Sequence, residues 1–201
     1  MMNLLDQANI FRFHDGLIKE FGVASNAALG WNKQAGQEAR FKILSGIGML
    51  NSHSVLDAGC GHADLYAYLV KLYPQLKYYG VEQIPGILQI AVERYIHLPE
   101  VNLFEGDFTL EGLPEVDYTL ACGSLNYRNS DDLFVLKTIE KLFNNSRIGF
   151  GFNLLRTIEP ADGFLVAYDP SYITAFCRKL TGKVSLIENY YGEDYSVFMY
   201  H

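Results

Sequence analysis

The stretch Ser54-Val55-Leu56-Asp57-Ala58-Gly59-Cys60-Gly61-His62-Ala63-Asp64-Leu65 runs from a short apolar segment through an acid and two glycines into a helix pattern. Val55 and Leu56 read as the end of a buried strand. Gly59 and Gly61 can take backbone angles and close approaches that a Cβ forbids, so a ligand can lie against bare backbone there. The following helix, expected over 62–72, aims its free N–H groups and positive dipole end at the same place. A strand, a glycine turn and a helix in that order are common in α/β proteins, where the glycines either floor a ligand site or merely make the turn tight. A dinucleotide fingerprint needs a third small residue where this chain has Asp64, which weakens a nicotinamide reading.

Past about residue 35, helix patterns alternate with short apolar strands, the signature of a parallel sheet covered on both faces. Strands are expected near 53–57, 78–82, 101–105, 116–122 and 148–154, and helices near 37–47, 62–72, 85–96, 131–143 and 170–180. Pro85 and Pro170 fit the first turns of their helices, where a missing N–H costs little. The chain then closes on two strand patterns, 184–190 and 195–200, joined by a turn containing Gly192, which read as a β-hairpin.

Asp57, Gly59, Gly61 and Ala63 together resemble the first motif of the class I S-adenosylmethionine-dependent methyltransferases, an acid followed by Gly-x-Gly-x-Gly, with Ala63 in the third small position. The resemblance runs from about residue 37 to the end. It implies a doubly wound, seven-stranded, mostly parallel sheet with helices on both faces and a C-terminal antiparallel hairpin. It also implies S-adenosylmethionine as cofactor and S-adenosylhomocysteine as product. The chain is expected to be a single methyltransferase-like domain, with residues 1–36 as a cap and 37–201 as the Rossmann-like core.

Cofactor contacts follow along the chain. Asp57, Gly59, Cys60 and Gly61 form the loop. Glu82, about 20 residues on at a strand end, has the spacing of a ribose-binding carboxylate, with Gln83 beside the ribose or adenine. Phe104-Glu105-Gly106-Asp107-Phe108 resembles the family's adenine motif, which gives Asp107 the exocyclic amine and Phe108 a backbone N–H to the ring. Cys122, Gly123 and Ser124, after the fourth strand, are expected to face the methionine portion.

Asn126, Tyr127 and Arg128 come next and are the candidates to meet a substrate. Arg128 either holds a carboxylate or phosphate or pairs with Asp131 or Asp132 to cap the next helix. Methyl transfer needs chiefly an aligned nucleophile, and where a proton must leave, Tyr127, His14 and Asp15 are the candidate groups. The Asn/Asp-Pro-Pro-aromatic segment of the amino-methylating members is absent, which argues against an adenine or glutamine amide as acceptor. Trp31, the only tryptophan, either meets the cofactor and closes the pocket or packs in the core.

Composition narrows the partners. The 201 residues carry a net charge of -7 without a lysine or arginine cluster, which argues against nucleic acid. Three isolated cysteines suggest reduced thiols, and the histidines show no metal-ligand spacing, so no metal is expected. No leader or long apolar run is evident, so a cytoplasmic protein away from membranes is expected, as monomer or homodimer. The expected activity is methyl transfer to a small metabolite, an anionic one included; the alternative is a cofactor-binding regulatory or non-catalytic partner protein.

Overall fold

The computed structural model describes residues 3–31, 33–109, 112–159 and 163–201. A seven-stranded sheet runs β1 Ser54–Ala58, β2 Lys77–Glu82, β3 Val101–Glu105, β4 Val116–Ala121, β5 Ser146–Leu155, β6 Lys183–Ile187 and β7 Asp194–Tyr200. Their spatial order is β3-β2-β1-β4-β5-β7-β6. The first five strands are mutually parallel, and β7 lies antiparallel between β5 and β6. The expected fold class and closing hairpin are therefore what the chain forms. Strand order reverses between β1 and β4, which opens a crevice at their carboxyl ends.

Among the described residues there are six α-helices: α1 Leu4–Phe21, α2 Gln34–Leu44, α3 Asp64–Leu72, α4 Pro85–Tyr95, α5 Phe134–Asn144 and α6 Pro170–Leu180. Strand side chains alternate between faces, so neighbours in sequence feed different cores. Val55, Tyr78 and Leu120 pack with Phe41 and Leu44 of α2 and Leu65 and Leu69 of α3. Leu56, Phe150 and Phe152 pack on the other side with Ile139 and Leu142 of α5 and Ile173 of α6. No described helix is long and apolar enough to cross a membrane.

The boundary differences have local causes. α3 starts at Asp64 rather than at residue 62 because Ala63 takes a left-handed conformation, φ 58° and ψ 35°. α5 starts at Phe134 rather than at 131, because Asp131 accepts from the Leu133 N–H and bonds Lys137 ahead of the helix. α2 begins three residues early, and its last turn tightens into a 3-10 turn at Ser45–Ile47. α1, within the cap segment, is started by Asn3, whose side chain accepts from the Asp6 N–H, and is ended by Gly22 at φ 82°.

Phe152 is fully buried on β5, between β4 and β7. Phe152→Ala is expected to cost about 3–5 kcal/mol, read as a lower denaturant midpoint at unchanged slope; a loss under ~1 kcal/mol would mean this core is not close-packed.

Candidate active site

The loop after β1 is built on positive backbone angles at Gly59 (φ 83°), Gly61 (φ 56°) and Ala63 (φ 58°). It is tied to the end of β2. The N–H groups of Gly59 and Cys60 both donate to the Val81 carbonyl, at 2.9 and 3.0 Å, and the Gly61 N–H donates to Glu82 Oε2 at 3.1 Å. Glu82 Oε1 accepts from the Ile84 N–H at 2.9 Å. Glu82 therefore holds the loop as well as ending its strand. A Cβ at Gly59 would come within 2.6 Å of Ser124 Cβ, and Ser124 is itself fixed by donating to the Ala58 carbonyl at 2.6 Å.

Beneath the loop lies a cavity at the carboxyl ends of β1, β2 and β4. Asp57, Gly59, Cys60, Gly61, Glu82, Gln83, Phe108, Cys122, Gly123 and Ser124 all line it, along with His14 and Tyr127. Its side chains include three carboxylates, Asp57, Asp64 and Glu82, and neither lysine nor arginine. Asp57 is buried, with Oδ2 accepting from the Tyr78 hydroxyl at 2.6 Å and Oδ1 left without a partner among the described residues. Gln83 Oε1 is likewise buried and unpaired. Burial, opposed by the Tyr78 hydrogen bond and assisted by the charges of Glu82 and Asp64, pushes the Asp57 carboxyl up to about 7. Burial raises Glu82 as well, against the backbone N–H groups that hold it.

Two buried oxygens without donors, beside a bare glycine backbone, call for a ligand with cationic or N–H groups. S-adenosylmethionine fits this set, with an ammonium for Asp57 and hydroxyl and amine donors for Glu82 and Gln83. Burial drives the thiols of Cys60 and Cys122 upward, so both stay protonated. Among the described residues, no group of three His, Cys, Asp or Glu side chains is placed to hold a metal.

Other expected positions fall elsewhere. Asp107 is buried but not among the cavity-lining residues; its Oδ1 accepts from the Thr109 N–H at 2.8 Å. Asn126 is a framework residue, donating to the Val166 carbonyl at 2.7 Å and accepting from its N–H. Arg128 neither enters the cavity nor pairs with Asp131 or Asp132; its Nε donates to the Gly163 carbonyl, and it lines an outer groove with Arg12 and Phe164. Asp15 is exposed and bonded to Lys19. Trp31 does line the cavity, under the Arg40 guanidinium at 4.6 Å, and Arg40 is held in turn by a two-pronged pair with Asp194 at 2.6 and 2.8 Å.

The sequence reading missed the apolar wall from Ile10, Leu29, Ile84, Ile87 and Phe134. The apolar spacing of Ile10 and His14 on one helix face was the available signal for part of it. It also missed Asp64, which was read only as a departure from the dinucleotide pattern and which Arg94 holds at 2.8 Å.

Gly59→Ala combines a positive φ with a backbone-anchored clash, and a loss of more than ~2 kcal/mol is expected from thermal unfolding. Ala63→Gly relieves the same kind of angle while removing a buried methyl, so a change within ~1 kcal/mol is expected. Equal effects at both positions would contradict this loop geometry.

Residues 55–145 match the family model described as a methyltransferase domain. No curated protein matches the sequence. Among solved structures, magnesium protoporphyrin IX methyltransferase from Synechocystis PCC 6803 with bound S-adenosylhomocysteine superimposes with a TM-score of 0.74 at 12% identity, over 97% of this chain and 99% of that one. A methyltransferase dependent on S-adenosylmethionine from Aquifex aeolicus gives 0.63 at 17% identity, over 84% and 94%. Mitomycin 7-O-methyltransferase gives 0.67 at 17%, over 94% of this chain and 60% of that one. Residues 55–145 thus match a methyltransferase domain, and they lie in the seven-stranded fold that these neighbours share.

Proposed function

We propose that the chain transfers the methyl group of S-adenosylmethionine to a small metabolite admitted to the cavity beside Tyr127. The observation that carries this is the union of an acid-rich, glycine-floored loop with an apolar wall from α1 and α4 in one cavity. When bound, the cofactor supplies a methyl on a cationic sulfur, already activated for displacement. Asp57 would take the ammonium, Glu82 and Gln83 the ribose side, Gly59 to Gly61 the close backbone approach, and Cys122 to Ser124 the methionine portion. Phe108 would wall the adenine, with Asp107 behind it.

Residues 1–36 would act as the cap that excludes water, since Ile10, His14, Leu29 and Trp31 belong to the lining. Two structural neighbours are named for small-molecule substrates, magnesium protoporphyrin IX and mitomycin, which supports an acceptor of that class. An anionic substituent on the acceptor would be met by Arg128 and Arg12 in the outer groove, beyond Phe13 and Phe164.

Calorimetry with S-adenosylmethionine, S-adenosylhomocysteine and NAD tests the cofactor. Binding of both sulfur compounds without NAD is expected, and preference for NAD would overturn the reading. The pH dependence has a defined sign. Asp57 attracts a cation only when ionised, so affinity is expected to strengthen as pH rises through about 7 and to fall by up to about tenfold per pH unit below that. Asp57→Asn should weaken binding and flatten this dependence.

A further inference from the structure

The cofactor reading leaves unused a hydrogen-bonded pair inside the same cavity. His14, on α1, and Tyr127, after β4, lie 113 residues apart in sequence, and the His14 ring Nε2 is 2.9 Å from the Tyr127 hydroxyl. The direction of this bond follows from the other ring nitrogen. His14 Nδ1 is 2.8 Å from the Ala28 carbonyl, which can only accept, so Nδ1 carries the proton. In the neutral ring Nε2 is then a bare lone pair, and the Tyr127 O–H donates into it. The tyrosine oxygen, its one proton committed, has only lone pairs left to offer a ligand.

Both residues are buried or nearly so, and both line the cavity, among apolar side chains that include Ile10, Ile84 and Ile87. Tyr127 is also braced from behind: it bridges Leu165, and its ring meets Phe164, which stacks on Phe13. A group that can only accept a hydrogen bond, in an apolar wall, selects a ligand that brings a proton. A carboxylate would present lone pairs to lone pairs there.

Building on the methyltransferase reading above, we propose that Tyr127 and His14 are a proton-accepting pair, and that the methyl acceptor is a neutral hydroxyl group on a small apolar molecule, a phenol above all. The acceptor O–H proton passes to Tyr127 Oη as the Tyr127 proton passes to His14 Nε2. The acceptor oxygen bonds to the methyl carbon, and the carbon–sulfur bond breaks with its electron pair left on sulfur. The proton rests on the imidazole and leaves to solvent.

The electrostatics suit these roles. Burial lowers His14, opposed only by the Ala28 hydrogen bond, so the ring is neutral and able to take a proton. Burial and then the charge of Glu82, across the cavity, raise Tyr127, so tyrosinate itself is not the base and the proton moves on to His14. The charged groups of α1 nearest in sequence to His14 are the exposed Asp15, bonded to Lys19, and Arg12, which lines the outer groove.

The test measures S-adenosylhomocysteine release with phenol, 4-nitrophenol and benzoate in mildly alkaline buffer, for the natural protein, Tyr127→Phe and His14→Asn. Expected is methylation of the phenols over benzoate. With phenol, both variants should lose about a hundredfold or more in kcat at little changed KM. With 4-nitrophenol, whose neutral form carries a far more acidic proton, they should lose far less, because its removal needs less help from the pair. A merely structural role would lower both acceptors alike. Equal losses, no loss, preference for benzoate, or a protein that binds S-adenosylhomocysteine yet methylates neither phenol would each overturn the proposal. Calorimetry with S-adenosylhomocysteine separates the two readings: if the natural protein does not bind it, the cofactor reading falls and the proposal with it. Nitrogen NMR of the natural protein adds a readout independent of turnover and of variant folding: His14 should be protonated at Nδ1 and bare at Nε2, and the opposite tautomer overturns the assignment.

Discussion

The site depends on how the turn between β1 and α3 is fastened. Three successive N–H groups, from Gly59, Cys60 and Gly61, reach across to the end of β2, two of them to the Val81 carbonyl and one to the Glu82 carboxylate. A loop with positive φ at Gly59, Gly61 and Ala63 would otherwise fray into solvent. Fastened in this way it becomes a rigid floor, and Glu82 is fixed at both oxygens by the backbone it supports. Loop and acid are thus one unit, and a change to either moves both.

That unit carries an electrostatic cost in the free protein. Asp57, Asp64 and Glu82 converge on one cavity with no cationic side chain among its lining residues. Asp57 answers by holding its proton until about pH 7, while Tyr78 donates to one of its oxygens. A cationic ligand relieves this arrangement and is selected by it. The same acids make the cavity a poor host for an anionic group, and the chain sets its arginines elsewhere: Arg40 against Trp31 and Asp194, Arg94 against Asp64, and Arg128 at the outer rim.

Legibility in the sequence followed the range of the interactions. The glycine loop, the strand before it, the helix starts at Pro85 and Pro170 and the closing hairpin are set by neighbours in the chain, and all are found in the structure. Glu82 was legible because a βαβ unit fixes the distance from loop to second strand. Asn126 and Arg128 were read as substrate ligands, but their partners are the Val166 and Gly163 carbonyls, 40 and 35 residues away, which no local pattern announces. Asp107 sits in a recognisable motif, yet its side chain closes its own turn at Thr109. The pairing of His14 with Tyr127 required the N-terminal helix to fold over the sheet, and nothing in either segment alone encodes it. Ala63 shows the reverse case: a departure from the glycine pattern whose left-handed angle costs about 1–2 kcal/mol and is offset in part by the burial of its methyl group.

The most direct test of the central claim is a crystal structure of the protein grown with S-adenosylhomocysteine. The account predicts the ligand in the cavity, with its ammonium on Asp57, its ribose hydroxyls on Glu82 and its backbone contacts at Gly59 to Gly61. A ligand bound elsewhere, or in the cavity with its ribose away from Glu82, would contradict it.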